Sequence, residues 1–262
     1  MTATEPRRFR VDALKFEVYE SREAAGHAAA LAAADAMRSA LNSENDLGVI
    51  FATGVSQLSM LAALTSMENV PWNRIVGFHM DEYENIGADH FASFRRYLRH
   101  ELTGKVPIKE FHEVNGSSPD IDGICSDYAA KLKAVKPQLC LLGIGENGHL
   151  AFNDPNLCDF SDPLDVRLVK LDQDCRTQQV AEGWFPNVES VPTHAITVTI
   201  PALIRVSKLI VSAPGIRKAN IVRKVIEDSI SVSCPATLLK THPDATVYLD
   251  DESSSVLSEI LQ

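Results

Sequence analysis

The residues able to move protons or hold anions fall into four short segments of this sequence. Gly143-Ile144-Gly145-Glu146-Asn147-Gly148-His149 places a histidine, the usual proton shuttle near neutral pH, in a loop whose glycines permit a tight path. The loop is not a dinucleotide fingerprint. Ala-Phe-Asn-Asp-Pro follows it and breaks the chain where a helix would have to receive a pyrophosphate. Asp81-Glu82-Tyr83 follows an apolar run, so at least one carboxylate should be half desolvated. Desolvation raises a carboxyl pKa toward the range of a general base, although a helix-capping aspartate explains the position equally well. In Thr53-Gly54-Val55-Ser56, glycine lets backbone N–H groups approach an anion and two hydroxyls add donors. An ordinary N-cap is the competing reading, and no Gly-Lys-Ser/Thr follows to make a P-loop. Pro214-Gly215-Ile216-Arg217-Lys218 repeats that logic and adds cations. A first-turn lysine opposes the helix dipole, so helix stability does not explain it, though a solvated lysine does.

All four segments begin where an apolar or β-branched run ends: 47–52, 75–80, 139–142 and 208–213. Further runs lie at 195–200 and 246–249, and helical patterns occupy 56–67, 91–102, 124–133 and an Ala-rich stretch at 24–40. The alternation predicts β-α-β units in one α/β domain spanning 1–262. Its sheet should be doubly wound, mostly parallel and Rossmann-like, with helices on both faces. Ligands of such sheets bind beyond the carboxyl ends of the strands, where all four segments would meet. The stretch 153–192, rich in Asp, Pro and Asn, reads as a lid or inserted loop.

Composition narrows the function. With 45% hydrophobic and 23% charged residues the chain is not disordered, and no apolar run reaches the ~18 residues of a membrane span. The N-terminal segment is charged and lacks the apolar stretch of a secretory signal. Five cysteines without a C-x-x-C pair fit reduced thiols and a cytoplasmic location. A net charge of −10 argues against nucleic acid or anionic membrane as partners, but a small anion can bind where a few cations converge. The other histidines show no H-x-x-x-H or H-E-x-x-H spacing, so no metal is expected, and there is no G-x-S-x-G elbow.

Together, F-H-M-D-E-Y, G-I-G-E-N-G-H-L-A-F-N-D-P and A-P-G-I-R-K-A resemble the glucosamine-6-phosphate deaminase/isomerase family, relatives of the 6-phosphogluconolactonases. The match runs in register from about Leu47 to Asp250. The resemblance implies a cofactor-free conversion of glucosamine 6-phosphate, or a close amino-sugar phosphate, and water to fructose 6-phosphate and ammonia. It implies Asp81 as the base between C2 and C1, and His149 as the group that opens the pyranose. Thr53, Gly54, Ser56, Lys218 and Arg176 would hold the phosphate, with Glu82, Gly145 and Glu146 close by.

Two departures matter. Asn147 stands where the family usually has Asp, and Asp154 where it usually has the longer Glu. A carboxylate beside a catalytic histidine fixes its tautomer and stabilises the imidazolium, so Asp154 is expected to take that role, with Asn147 orienting the ring. The chain ends at Gln262, soon after the last strand, so the allostery of longer members is not expected; homo-oligomerisation is left open. Two alternatives stand beside the deaminase. One is a 6-phosphogluconolactonase, an ester hydrolase, which typically reads D-E-R and G-H-T-A-S-L-F-P at the two motifs. The other is a sugar-phosphate-binding protein without turnover.

Overall fold

The computed structural model describes residues 5–155 and 157–257; the first four residues of the N-terminal segment and the end at Gln262 lie outside them. A hairpin of β1 (Arg7–Val11) and β2 (Leu14–Tyr19) opens the chain, followed by α1 (Arg22–Ala40), β3 (Leu47–Phe51) and α2 (Leu58–Ser66). Next come β4 (Ile75–His79), β5 (Asp81–Tyr83), α3 (Phe94–Leu98), β6 (Glu110–His112), α4 (Ile121–Val135) and β7 (Leu139–Gly143). The order continues with β8 (Val166–Lys170), α5 (Gln173–Ala181), β9 (His194–Val198) and α6 (Ile200–Ile204), and ends with β10 (Lys208–Ser212), α7 (Ala219–Glu227) and β11 (Ala245–Asp250).

Eight strands form one sheet in the order β1-β2-β11-β10-β7-β3-β4-β6, and every neighbouring pair is parallel except the β1–β2 hairpin. Successive residues feed opposite faces. Leu139 and Leu141 of β7 join Leu47, Val49 and Phe51 of β3 under α1 and α2, whereas Cys140 and Leu142 join Leu209 and Val211 on the side of α4, α6 and α7. The expected doubly wound sheet with helices on both faces is what forms. Ser21 caps α1, and the small residues of that helix let it pack closely on α2. A Cβ at Gly26 would lie 2.4 Å from Ser59 Oγ and 2.9 Å from the Met60 amide, so the crossing requires glycine.

Two expectations need correction. The run at 195–200 does not enter the main sheet. Its strand β9 pairs antiparallel with β5 and β8 in a separate three-stranded sheet. The stretch 153–192 is not one irregular loop, since it contains β8 and α5. Only Val166 of β8 is buried, so its apolar signal is thin. The β1–β2 hairpin was also hidden, because β1 is mostly exposed and charged. Among the described residues no helix is long and apolar enough to cross a membrane.

Candidate active site

A cavity of about 380 Å³ opens at the carboxyl ends of β3, β4, β7 and β10, lined by Thr53, Ser56, Asp81, Glu146, His149 and Lys218 among others. The four sequence segments do converge.

Asp81 and Glu82 separate at once, because successive strand residues face opposite ways. Asp81 lines the cavity, is buried, and has Oδ1 without a hydrogen-bond partner. Burial, reinforced by the neighbouring Glu82 charge, pushes its pKa well above the ordinary carboxyl range. Glu82 points away from the cavity into backbone. Its carboxylate accepts from the Tyr83, Phe94 and Arg95 amides, Ser93 Oγ and Arg95 Nε at 2.8–3.2 Å. Glu82 thus organises the 82–95 segment rather than facing a ligand.

The loop after β7 carries the histidine. Gly145 packs against the imidazole so closely that a Cβ there would fall 2.2–2.4 Å from three ring atoms. Gly148, at φ +95°, turns the chain back, and its carbonyl accepts from the Ala236 amide. His149 Nδ1 lies 3.2 Å from Oδ1 of the buried Asp154. Burial alone would raise the Asp154 pKa, but His149, the Asp172 amide and Asn147 together hold it below the ordinary value. Asn147 bonds the His149 backbone rather than its ring. Its Oδ1 accepts from the His149 amide at 3.0 Å, while its Nδ2 reaches Asp154 and Asp172 at 3.2–3.5 Å. Asp172, the N-cap of α5, was missed because it sits in the stretch that reads as irregular. His149, Asp154 and Cys175 also bring one donor atom each within 4.8 Å of one another, a set able to hold a cation that histidine spacing does not reveal.

The same glycine-turn geometry appears twice. Gly54 (φ 97°, ψ 170°) and Gly215 (φ 94°, ψ 153°) each precede a short 3₁₀ turn that leads into a helix. Both glycines hold a conformation that a side chain would strain. Gly143 completes the first cradle, since a Cβ there would meet Gln57 Nε2 at 2.9 Å and Ser56 Oγ at 3.3 Å. In the second, both Asp250 oxygens accept the Gly215 amide, at 2.9 and 3.0 Å. Lys218 is buried at the cavity, and burial lowers its pKa against the pull of Glu182 and Glu146. Glu146 itself is paired with Arg217 at 2.7 Å.

Arg176 is not part of this cavity, contrary to expectation. Its guanidinium donates to the Val188 and Val191 carbonyls at 2.5 and 3.0 Å, which ties α5 to the segment behind it. The cavity-facing residues of that region are Gln178, Gln179, Ala181, Glu182 and Trp184. Helical periodicity turns Arg176 to the opposite side.

Comparison with known proteins accords with this geometry. The family model for glucosamine-6-phosphate isomerases/6-phosphogluconolactonase matches residues 20–248. The glucosamine-6-phosphate deaminase of Bacillus thuringiensis strain Al Hakam is 33% identical over 210 residues, 80% of this chain and 78% of that one. A solved structure of a monomeric glucosamine-6-phosphate deaminase superposes with a TM-score of 0.84 at 27% identity, covering 92% of this chain and 99% of its own. The 6-phosphogluconolactonase of Thermotoga maritima shares the fold, with a TM-score of 0.72 at 20% identity over 90% of this chain and 98% of its own. The chain belongs to the glucosamine-6-phosphate isomerase/6-phosphogluconolactonase family.

Proposed function

We propose that this protein is a glucosamine-6-phosphate deaminase, converting that sugar, or a close amino-sugar phosphate, and water to fructose 6-phosphate and ammonia. One observation carries the reading: a buried carboxylate with a raised pKa, Asp81, lines the same cavity as a histidine held by a second, ionised carboxylate. Lactone hydrolysis needs no base for a carbon acid, whereas exchange between C2 and C1 does.

The sequence of steps follows from these groups. The sugar phosphate anchors on the Gly54 cradle and Lys218. His149, with Nδ1 toward Asp154, presents Nε2 to the ring oxygen and opens the pyranose by proton transfer. Asp81 then takes the C2 proton, leaving an enolamine across C1 and C2, and returns it to C1. The C2 imine so formed adds water and breaks the C–N bond, giving the ketose and ammonia. The raised pKa suits Asp81 to the task, because a base must be strong enough to take a carbon-bound proton and able to keep it until C1 is ready.

Incubation with glucosamine 6-phosphate should release ammonia and fructose 6-phosphate in equal amounts, and Asp81→Asn should slow both by the same large factor. Hydrolysis of 6-phosphogluconolactone without ammonia release would favour the lactonase. Sugar-phosphate binding with no product would favour a binding protein.

A further inference from the structure

We infer that Arg22, the first residue of α1, contacts the substrate phosphate and sets the cavity's affinity for phosphorylated sugars; the inference rests on the deaminase reading above. Arg22 lines the same cavity as Thr53, Gly54, Ser56 and Lys218, although it lies far from them in sequence and outside the four strand-end segments.

Three observations support this. The first is charge accounting. The cations lining the cavity are Arg22, Arg217 and Lys218, and Arg217 is already paired with Glu146. Lys218 faces Glu182 and Glu146, and Arg176 is committed elsewhere. Arg22 is the lining cation with neither a hydrogen bond nor an ion pair among the described residues, and Glu252 Oε2 is the carboxylate that shares its place beside Gly215. The second is placement. Arg22 is half-buried, and its Nη2 lies over Gly215, where a Cβ would sit only 2.5 Å away. The guanidinium is thus packed onto the second glycine turn, whose own amide is taken by Asp250. The arginine would supply there the donors that this backbone turn cannot offer. The third is the helix. A cation in the first turn of α1 opposes the dipole, and Ser21 caps that helix without it. Helix stability does not account for an arginine here, whereas a planar fork suited to two phosphate oxygens does.

Steady-state kinetics on Arg22→Ala and Arg22→Lys should separate binding from chemistry. Arg22→Ala should raise KM for glucosamine 6-phosphate about 10- to 100-fold, the scale of one charge-assisted contact, with kcat within about threefold. It should weaken binding of inorganic phosphate, followed by calorimetry, by a similar factor. Arg22→Lys should recover part of both losses. A KM and a phosphate affinity within twofold of wild type would overturn the assignment and leave the deaminase reading intact. Wild-type protein that binds phosphate but releases no ammonia would sink the deaminase reading, and the calorimetric comparison would still decide Arg22. Wild-type protein that does neither would overturn both.

Discussion

Asp81 and Asp154 are both aspartates buried beside one cavity, yet the fold moves their pKa values in opposite directions. At the start of β5, Asp81 is buried next to the charge of Glu82, and its Oδ1 has no partner. In the loop after β7 the same side chain meets an imidazole, an amide N–H and a carboxamide, and is held as an anion. Burial pushes both pKa values up, and only Asp154 has partners that outweigh it. Partners are what differ. Two like groups driven apart in this way can divide the work of base and electrostatic support.

Removing the unsatisfied member should have the largest effect. Asp81→Asn should lower kcat by roughly 10²–10⁴-fold. The folded pKa of Asp81 lies above its unfolded value, so near neutral pH the charge weighs against folding. Asp81→Asn should therefore melt higher than wild type at pH 7, and the gain should shrink as pH falls toward the ordinary carboxyl range. An equal or lower melting temperature at pH 7 would show that the carboxylate is not strained by its surroundings.

Disturbing the other region without touching a charge comes next. Gly145→Ala drives a methyl into the His149 ring, and a displacement of about 1 Å costs on the order of 100-fold in turnover. Turnover within a factor of three of wild type would mean that the ring position does not matter. Asp154→Asn should cost about 10- to 100-fold and shift the pH–rate profile. An unchanged profile would remove Asp154 from the proton relay. Its stability effect has the opposite sign to that of Asp81. The folded pKa of Asp154 is depressed, so its contribution is present above the ordinary carboxyl value of about 3.9 and is lost as pH falls through the folded one. Urea melts should show Asp154→Asn less stable than wild type at pH 7, with the gap closing in acid.

This contrast was only half legible in the sequence. Strands buried on both faces declare themselves as apolar runs, so the sheet and the loaded segments at its edge could be read directly. The period of two in Asp81-Glu82 says that the carboxylates diverge, but not which one enters the cavity. That depends on pairing with β9, whose sheet membership no local pattern encodes. Asp154 shows its residue type but not its burial, and Asp172 and Glu182 lie where half-exposed elements carry little apolar signal. Arg176 misled for a related reason. Register along a short helix turns a side chain by 100° per residue, and alignment across an irregular stretch cannot fix it. Arg22 carried no signal at all, since its role depends on where the N-terminus of α1 meets Gly215 in space.

The smallest effect on chemistry should come from Glu82, adjacent to Asp81 but facing the other way. Its two oxygens serve five donors, including Arg95 Nε at 3.2 Å in a pair that is almost wholly buried. Glu82→Gln keeps the shape and one acceptor, but it turns an NH₂ toward the Arg95 amide and guanidinium. Ser93 can rotate to accept from that group, and the arginine donors cannot. The cost should appear as stability, about 2–4 kcal/mol in a urea melt, while the folded fraction retains turnover within severalfold. If Glu82→Gln instead matched Asp81→Asn in lost turnover while melting like wild type, the division between the two carboxylates would be reversed, and Glu82 would be the base.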